Sequence, residues 1–195
     1  MRILFFVILI AGLGYCSQPR ADNTVYIDQV GDNNTYTVSQ NGDGQNVNIA
    51  VGKVSSSDGN AINITQRDAT AKTANVSISS GINNSVSITQ QGTGNHTANI
   101  QNLSGSANTI TVGQSGEGNH SFSVINNPGT TNNNNTINAT QSGGVGADKW
   151  FNVWLNGASG ANVSVTQTNP TTPGQASMSI MCMPGTCGNW SYNSQ

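Results

Sequence analysis

The chain has 195 residues, of which 7% are charged and 6% are aromatic. By contrast, 107 of the residues are Asn, Ser, Thr, Gln or Gly. Globular domains average about 25% charged residues, so this composition argues against an ordinary α/β enzyme or a coiled coil, and against a nucleic-acid binder, which would carry a basic patch. Two interpretations remain: a low-complexity polar chain, or a β-solenoid with a small repeating core.

The first 21 residues have the layout of a secretory signal peptide. Met1 and Arg2 form a short basic start, and polar residues follow an apolar run over residues 3–13. The run is short for a transmembrane helix. We therefore expect residues 1–21 to be removed and the protein to be secreted, without stable insertion into a membrane. Whether Cys16 is lipidated is left open.

A five-residue pattern (apolar, polar, apolar, polar, Gln) recurs along the chain and alternates with a more degenerate set of apolar alternations. Its glutamines are Gln29, Gln40, Gln66, Gln90, Gln114, Gln141 and Gln167. From Gln40 onward they are spaced by 26, 24, 24, 27 and 26 residues. Alternation with period two, rich in Val, Ile and Thr, predicts about thirteen strands.

Two strands in each repeat of about 24 residues predict an all-β fold. We expect a β-solenoid of stacked two-strand β-arch rungs, roughly six to seven in number, over residues 22–182. Gly and Asn clusters punctuate the strands and supply the positive φ that tight turns need. The turn glycines that stand out are Gly31, Gly42, Gly92 and Gly116.

Each repeated Gln shares a strand face with its two apolar neighbours, and that face is predicted to point inward. A buried amide must be hydrogen-bonded. Residues of stacked rungs repeat about every 4.8 Å, so each Gln can donate to one neighbour and accept from the other. The sequence therefore predicts a glutamine ladder; the alternative is a row of generic polar residues facing solvent.

One longer spacing also recurs: Gln, one residue, Gly, two residues, Asn, five residues, Gln. It is complete at Gln29, Gly31, Asn34 and Gln40 and again at Gln90, Gly92, Asn95 and Gln101, and its first three positions recur at Gln114, Gly116 and Asn119. This spacing resembles the curlin repeat, the subunit repeat of bacterial curli fibres. The resemblance covers roughly residues 23–182.

The resemblance implies an extracellular functional amyloid, whose subunits are secreted unfolded, fold as β-solenoids and stack end to end into fibres of biofilm matrix and adhesin. The partners it implies are other copies of the chain, a nucleator subunit and a secretion pore. Three features depart from the family. The first strand begins almost directly after the signal peptide, the turns are long at residues 126–134 and 169–175, and the tail carries two cysteines.

The two ends of the predicted solenoid differ. The N-terminal rung shows no cap, and the low charge of the chain removes the usual block on edge pairing, so we expect that rung to be an assembly surface. Residues 183–195 are predicted as a C-terminal tail that either caps the other end or frays. Cys182 and Cys187 are an even pair in a secreted chain, which permits one disulfide.

Histidines and aromatics leave further alternatives open. His96 and His120 lie 24 residues apart, so they are predicted to share a column, where they either bind a metal such as copper or repeat a turn residue. We expect no metal and no cofactor. An exposed Trp154 marks a partner or glycan contact, or else packs in the core of an irregular rung.

Catalysis is not expected, because the chain has a single Glu, Glu117 in a Gly-rich turn, and no catalytic spacing stands out. The alternative to a fibre subunit is a monomeric secreted solenoid that binds a surface, a glycan or ice, the last through outward Ser and Thr positions.

Overall fold

The structure is a computed structural model that describes residues 22–52, 57–168, 176–184 and 187–194. The predicted signal peptide and the predicted long turn at residues 169–175 lie outside the described residues. Within the described ranges, no helix is long and apolar enough to cross a membrane.

Fourteen strands lie in the described part of the chain, alternating between two sheets. Sheet A contains β1 (Thr24–Gln29), β3 (Gln45–Val51), β5 (Lys72–Ser80), β7 (His96–Ser104), β9 (His120–Asn126), β11 (Lys149–Leu155) and β13 (Ala176–Cys182). Sheet B contains β2 (Thr35–Asn41), β4 (Ala61–Arg67), β6 (Ser85–Gln90), β8 (Thr109–Gly116), β10 (Thr136–Gly143), β12 (Asn162–Thr168) and β14 (Asn189–Ser194). The predicted fold class is confirmed: the chain is a β-solenoid.

Every strand pairs in parallel with the strand two places along the chain. Odd and even strands therefore stack into seven two-strand rungs, and six full turns separate β1 from β13. The register is continuous except at a bulge where β5 meets β7. Residues in one column thus share a chemical environment through the length of the solenoid.

The period-two pattern explains which residues form the core. In β4, Ile62, Ile64 and Gln66 are buried, whereas Ala61 and Asn63 face solvent. The same alternation in the other strands directs β-branched side chains of both sheets into one narrow interior. Strands buried in this way are stabilised because each apolar side chain packs on its column neighbours about 4.8 Å away.

Strand β1 belongs to sheet A, although the sequence pattern groups Val25–Gln29 with the glutamine strands. The chain changes sheet at every turn, so β1 and β2 lie on opposite sides even though both carry the five-residue pattern. The fourteenth strand, β14, lies in the segment 183–195 that the sequence sets apart as a tail. It continues sheet B beside β12, and a Cys182–Cys187 disulfide closes the turn that leads to it.

The turns hold adjacent rungs very close together. The four predicted turn glycines have φ between +96° and +135°, a region that favours glycine. At Gly92 an added Cβ would also overlap the carbonyl oxygen of Gly116 in the next rung. Gly92 is therefore required both by its own backbone conformation and by the approach of its neighbour.

Replacing Gly92 should destabilise the solenoid more than replacing a glycine with the same conformational demand and open surroundings. Gly129 has φ +80° and no atom within 4 Å of the added Cβ, so Gly129→Ala should cost about 1 kcal/mol. Gly92→Ala should cost roughly 1–3 kcal/mol more, through overlap with the next rung. Urea unfolding of freshly diluted monomer, followed by circular dichroism, measures both; equal losses would contradict the close-approach argument.

Candidate functional site

A glutamine ladder runs through the core. Its six members occupy one column of sheet B: Gln40, Gln66, Gln90, Gln114, Gln141 and Gln167. From Gln40 to Gln141, each side-chain Nε2 donates to the Oε1 of the next ladder glutamine along the chain, at 2.8–3.0 Å. From Gln66 onward these side chains are buried, so the ladder satisfies amides that water cannot reach.

The same glutamines also join the two sheets. Each Nε2 donates to a backbone carbonyl of the facing strand in sheet A at 3.0–3.5 Å, and the acceptors are Thr24, Asn46, Thr73, Thr97, Ser121 and Trp150. Both amide hydrogens are thereby used, one along the solenoid axis and one across the core. The ladder therefore holds the register of the rungs and the separation of the sheets together.

A second ladder lies at the turns that lead into sheet B. It consists of Asn34, Asn60, Asn84, Asn108 and Asn135. In each step the later residue donates its backbone N–H and its Nδ2 to the Oδ1 of the earlier one, at 2.9–3.1 Å. The bonds between ladder side chains thus run to the preceding rung in the asparagine ladder and to the following rung in the glutamine ladder. Each asparagine Nδ2 also donates to a turn carbonyl in the following rung.

Sequence reasoning identifies only the first member of the asparagine ladder, Asn34. The signal for the others is a constant distance, because each ladder asparagine stands six positions before a ladder glutamine, as Asn84 does before Gln90. This is the Asn, five residues, Gln part of the longer spacing. The sixth rung keeps the distance but has Ala161, whose backbone N–H donates to Asn135 Oδ1 at 2.9 Å.

Two predicted ladder glutamines lie elsewhere. Gln29 ends β1 in sheet A and donates to the carbonyl of Gly31 at 2.7 Å. Gln101 is exposed on the outer face of β7, opposite Ile125 of β9. Both match the longer spacing, but the spacing crosses a turn, and every turn moves the chain to the other sheet.

Asn95 and Asn119 form a separate, exposed row at the turns that lead into sheet A. The side-chain oxygen of Asn119 accepts the backbone N–H of Asn95 at 2.9 Å, and Asp148 accepts that of Asn119 at 2.8 Å. This row supports the turns before β7, β9 and β11, and it is distinct from the buried asparagine ladder.

A column of buried polar and cationic side chains begins the strands of sheet A: Gln45, Lys72, His96, His120 and Lys149. The two imidazoles stack with centroids 5.0 Å apart and planes 8° apart. His96 Nε2 lies 2.8 Å from the carbonyl of Gln91, and His120 Nε2 lies 2.9 Å from that of Ser115. A carbonyl only accepts, so each ring carries its proton on Nε2 and ties down a turn.

Burial lowers the pKa of both histidines. The pKa of His96 falls to about 4, mainly through burial. The hydrogen bond to Gln91 raises this pKa, whereas the nearby His120 and Lys72 lower it. For His120 burial is again the main cause, with Lys149 lowering its pKa and the Ser115 carbonyl and Asp148 raising it. The pKa of Lys72 is likewise lowered by burial. The imidazoles are therefore neutral at pH 7.

The sequence leaves open whether His96 and His120 bind a metal or repeat a turn residue, and the structure places them inside the strands of the core. Each Nδ1 is buried and has no hydrogen-bond partner. Lysines lie on either side of the pair along the column. Among the described residues, no group of three or more His, Cys, Asp or Glu is arranged to hold a metal ion.

Both ends of the solenoid present strand edges. In the part of the chain that the structure describes, β1 and β2 form one end and β13 and β14 the other, each paired on a single side. The inward columns continue to both ends, with Val25, Ile27, Tyr36 and Val38 in the first rung and Met178, Ile180, Trp190 and Tyr192 in the last. Several of these are partly exposed, including Val25, Trp190 and Tyr192.

No protein-family model matches this chain, and no curated protein or solved structure matches it either. The likeness to the curlin repeat therefore rests on the repeated residues alone.

Interrupting the glutamine ladder should destabilise the fold. Gln90→Leu leaves the Oε1 of Gln114 without its ladder donor and deprives Gln66 of its ladder acceptor, which should cost about 2–4 kcal/mol. Gln101→Leu changes an exposed glutamine outside the ladder and should cost less than about 0.5 kcal/mol. Urea unfolding of dilute monomer compares them, and a similar loss in both would show that the ladder is not what stabilises the core.

Acid should destabilise the solenoid through the stacked histidines. Unfolded imidazoles take up protons near pH 6.5, whereas His96 does so near pH 4 in the fold, so the unfolded chain binds more protons between these values. Stability is then complete above about pH 6.5 and falls as the pH drops toward 4. The test is the unfolding midpoint of the parent protein measured across this pH range and compared with that of the double variant His96→Gln and His120→Gln. The double variant should show a weaker dependence of stability on pH. Glutamine is chosen because Gln45 already occupies the same column. A parent protein equally stable at pH 7 and pH 4.5 would contradict the argument.

Proposed function

We propose that the mature chain is secreted and assembles end to end with copies of itself into an extracellular, curli-like amyloid fibre. The observation that carries this proposal is that both end rungs present unpaired strand edges with the same order of residue columns. Such edges are templates for further strand pairing. The resemblance to the curlin repeat agrees with it and adds the expected role in adhesion and biofilm matrix.

Head-to-tail stacking continues every column of the solenoid. With β13 of one copy beside β1 of the next, Met178 meets Val25 and Ile180 meets Ile27. In sheet B, β14 beside β2 brings Trp190 over Tyr36 and Tyr192 over Val38, as the columns of the present structure require. Apolar side chains that are partly exposed in the monomer become buried in the fibre, which stabilises the contact.

The polar columns also continue across this junction. Gln40 is the first ladder glutamine, and its Nε2 already donates to Gln66, so its Oε1 is the acceptor that faces an incoming copy. Ser194 occupies the same column in the last rung, and its hydroxyl can donate to that oxygen. The ladder thus acquires a hydrogen bond at the junction rather than a buried amide without a partner.

Charge favours head-to-tail over head-to-head contact. The acidic residues Asp22, Asp28, Asp32 and Asp43 belong to the first rung and its turns, so two first rungs placed together would repel each other. The last strands, β13 and β14, carry no charged residue. Stacking a last rung on a first rung avoids that repulsion, and it alone preserves the parallel register.

Fibre growth is the direct test. Residues 22–195, which exclude the predicted signal peptide, are purified in denaturant, diluted into physiological buffer and followed by thioflavin T fluorescence and electron microscopy. We expect a lag followed by growth into fibres, and we expect preformed fibre seeds to shorten the lag. A β-rich monomer that stays soluble for days would contradict the proposal and favour a monomeric binder, for which the outer Ser and Thr columns of sheet B are a candidate ice surface.

A charge at the end rung should block growth without unfolding the monomer. Val38→Lys places an ammonium where it reaches solvent at an open end but is buried and unpaired in a fibre junction. Ser39→Lys is the matched control, since Ser39 faces outward in either state. We expect Val38→Lys to suppress elongation and Ser39→Lys to leave it near the parental rate. At the other end, Tyr192→Lys is the inward variant and Asn193→Lys its outward control. If Val38→Lys and Tyr192→Lys both grow at the parental rate, these edges are not the fibre junction.

A further inference from the structure

Two tryptophans stand on the outer face of sheet A, on the strand next to the end strand β13. Trp150 and Trp154 belong to β11, where they are 42% and 38% exposed, while Phe151, Val153 and Leu155 between and beside them are buried. They are four residues apart on one strand, which separates them by about 13 Å. The sequence alternative in which Trp154 packs in the core is thereby excluded.

The neighbouring strands leave the indoles uncovered. Ser121 of β9 and Ser177 of β13 flank Trp150, and these short side chains are too small to cover a neighbouring indole about 4.8 Å away. Trp154 is flanked by larger side chains, Ile125 of β9 and Met181 of β13, which extend its apolar surface. Two exposed indoles therefore lie on the same face of one strand, about 13 Å apart.

A strip of small polar groups separates the two indoles. Asn152 lies between them on β11, and Ser123 and Ser179 lie beside it on the adjacent strands. These groups offer hydroxyl and amide donors and acceptors. The outward residues of β9, β11 and β13 include no charged side chain; Lys149, which begins β11, is buried. An uncharged occupant fits this face better than a polyanion or a basic partner.

The apolar area is too small for a protein interface. A tryptophan side chain offers at most about 250 Å², so two of them at roughly 40% exposure present about 200 Å². A stable protein–protein interface takes about 800 Å² from each partner, of which a little over half, roughly 450 Å², is non-polar. The two indoles are thus sized for a small or narrow ligand rather than for a second copy of the chain.

We propose that Trp150 and Trp154 form a platform for a linear, uncharged polysaccharide. A pyranose ring has an apolar face of C–H groups that stacks on an indole and a rim of hydroxyl groups that hydrogen-bonds to Ser and Asn. The two indoles are too far apart to share one sugar, so they contact different sugars of one chain, and Asn152 binds the hydroxyl groups between them. The platform lies on the side of the solenoid, so it remains open when copies stack end to end.

Indole fluorescence of the folded, dilute chain of residues 22–195 provides the test. The protein contains three tryptophans, so in a Trp190→Phe background all indole emission comes from the platform. The probes are cellohexaose, chitohexaose, laminarihexaose and mannohexaose, with an oligogalacturonate of equal length as the charged comparison. We expect at least one neutral hexasaccharide to shift the emission at millimolar concentration or below, and the oligogalacturonate to leave it unchanged.

Variants separate stacking from a change of fold. Trp150→Thr and Trp154→Thr insert a residue of the kind that other outward positions carry, and each should weaken binding about tenfold or more, measured by calorimetry in the Trp190-containing protein. Trp150→Tyr keeps an aromatic face and should retain most of the affinity, and circular dichroism confirms that each variant is folded. Tyr26→Asn, at an exposed position of β1 on the same sheet, should not affect binding.

Three results would overturn the proposal: no response to any neutral hexasaccharide, equal affinity for the charged one, or unchanged affinity in both threonine variants. A fourth would reassign the platform to a second copy of the chain, namely sedimentation showing that the threonine variants lose self-association and not sugar binding. None of these readouts depends on fibre growth, so the fibre proposal and this one can fail separately.

Discussion

The constraint on which the rest of the structure depends is the hydrogen bonding of buried amides. A glutamine inside an apolar core is tolerated only if both its hydrogens and its oxygen find partners. Here the partners are the same residue one rung away and a carbonyl of the facing sheet. Rungs that slipped by one residue would turn every ladder glutamine outward, so the ladder selects one register for the whole solenoid.

Other features follow from that register. Glycines stand where successive turns almost touch, because stacking copies each close approach in the next rung. Differences in rung length, such as 24 against 27 residues, are taken up in the turns, since the strands must stay aligned. The buried column that begins the strands of sheet A obeys the same logic: Lys72, His96 and His120 are tolerated in the interior because each donates to a turn carbonyl.

The solenoid thereby separates two kinds of surface. Its ends are strand edges whose columns match each other, which suits growth by addition of identical subunits. Its sides are completed sheets with satisfied backbones, which suit contacts that do not extend the sheet. The proposed fibre junction uses the first kind of surface and the proposed polysaccharide platform the second, so a fibre would display one platform per subunit along its length.

The sequence by itself determines the strands, their parallel stacking and the ladder column from Gln40 to Gln167, because period-two alternation is local and in-register stacking repeats the spacing of the glutamines. It does not determine which of the 29 asparagines form the buried ladder, to which sheet β1 belongs, or that His96 and His120 lie inside the core rather than at a turn. Those depend on where each turn reverses the chain. Only the tertiary structure decides this, because a turn one residue longer or shorter moves a side chain from the interior to solvent without changing the pattern on either side.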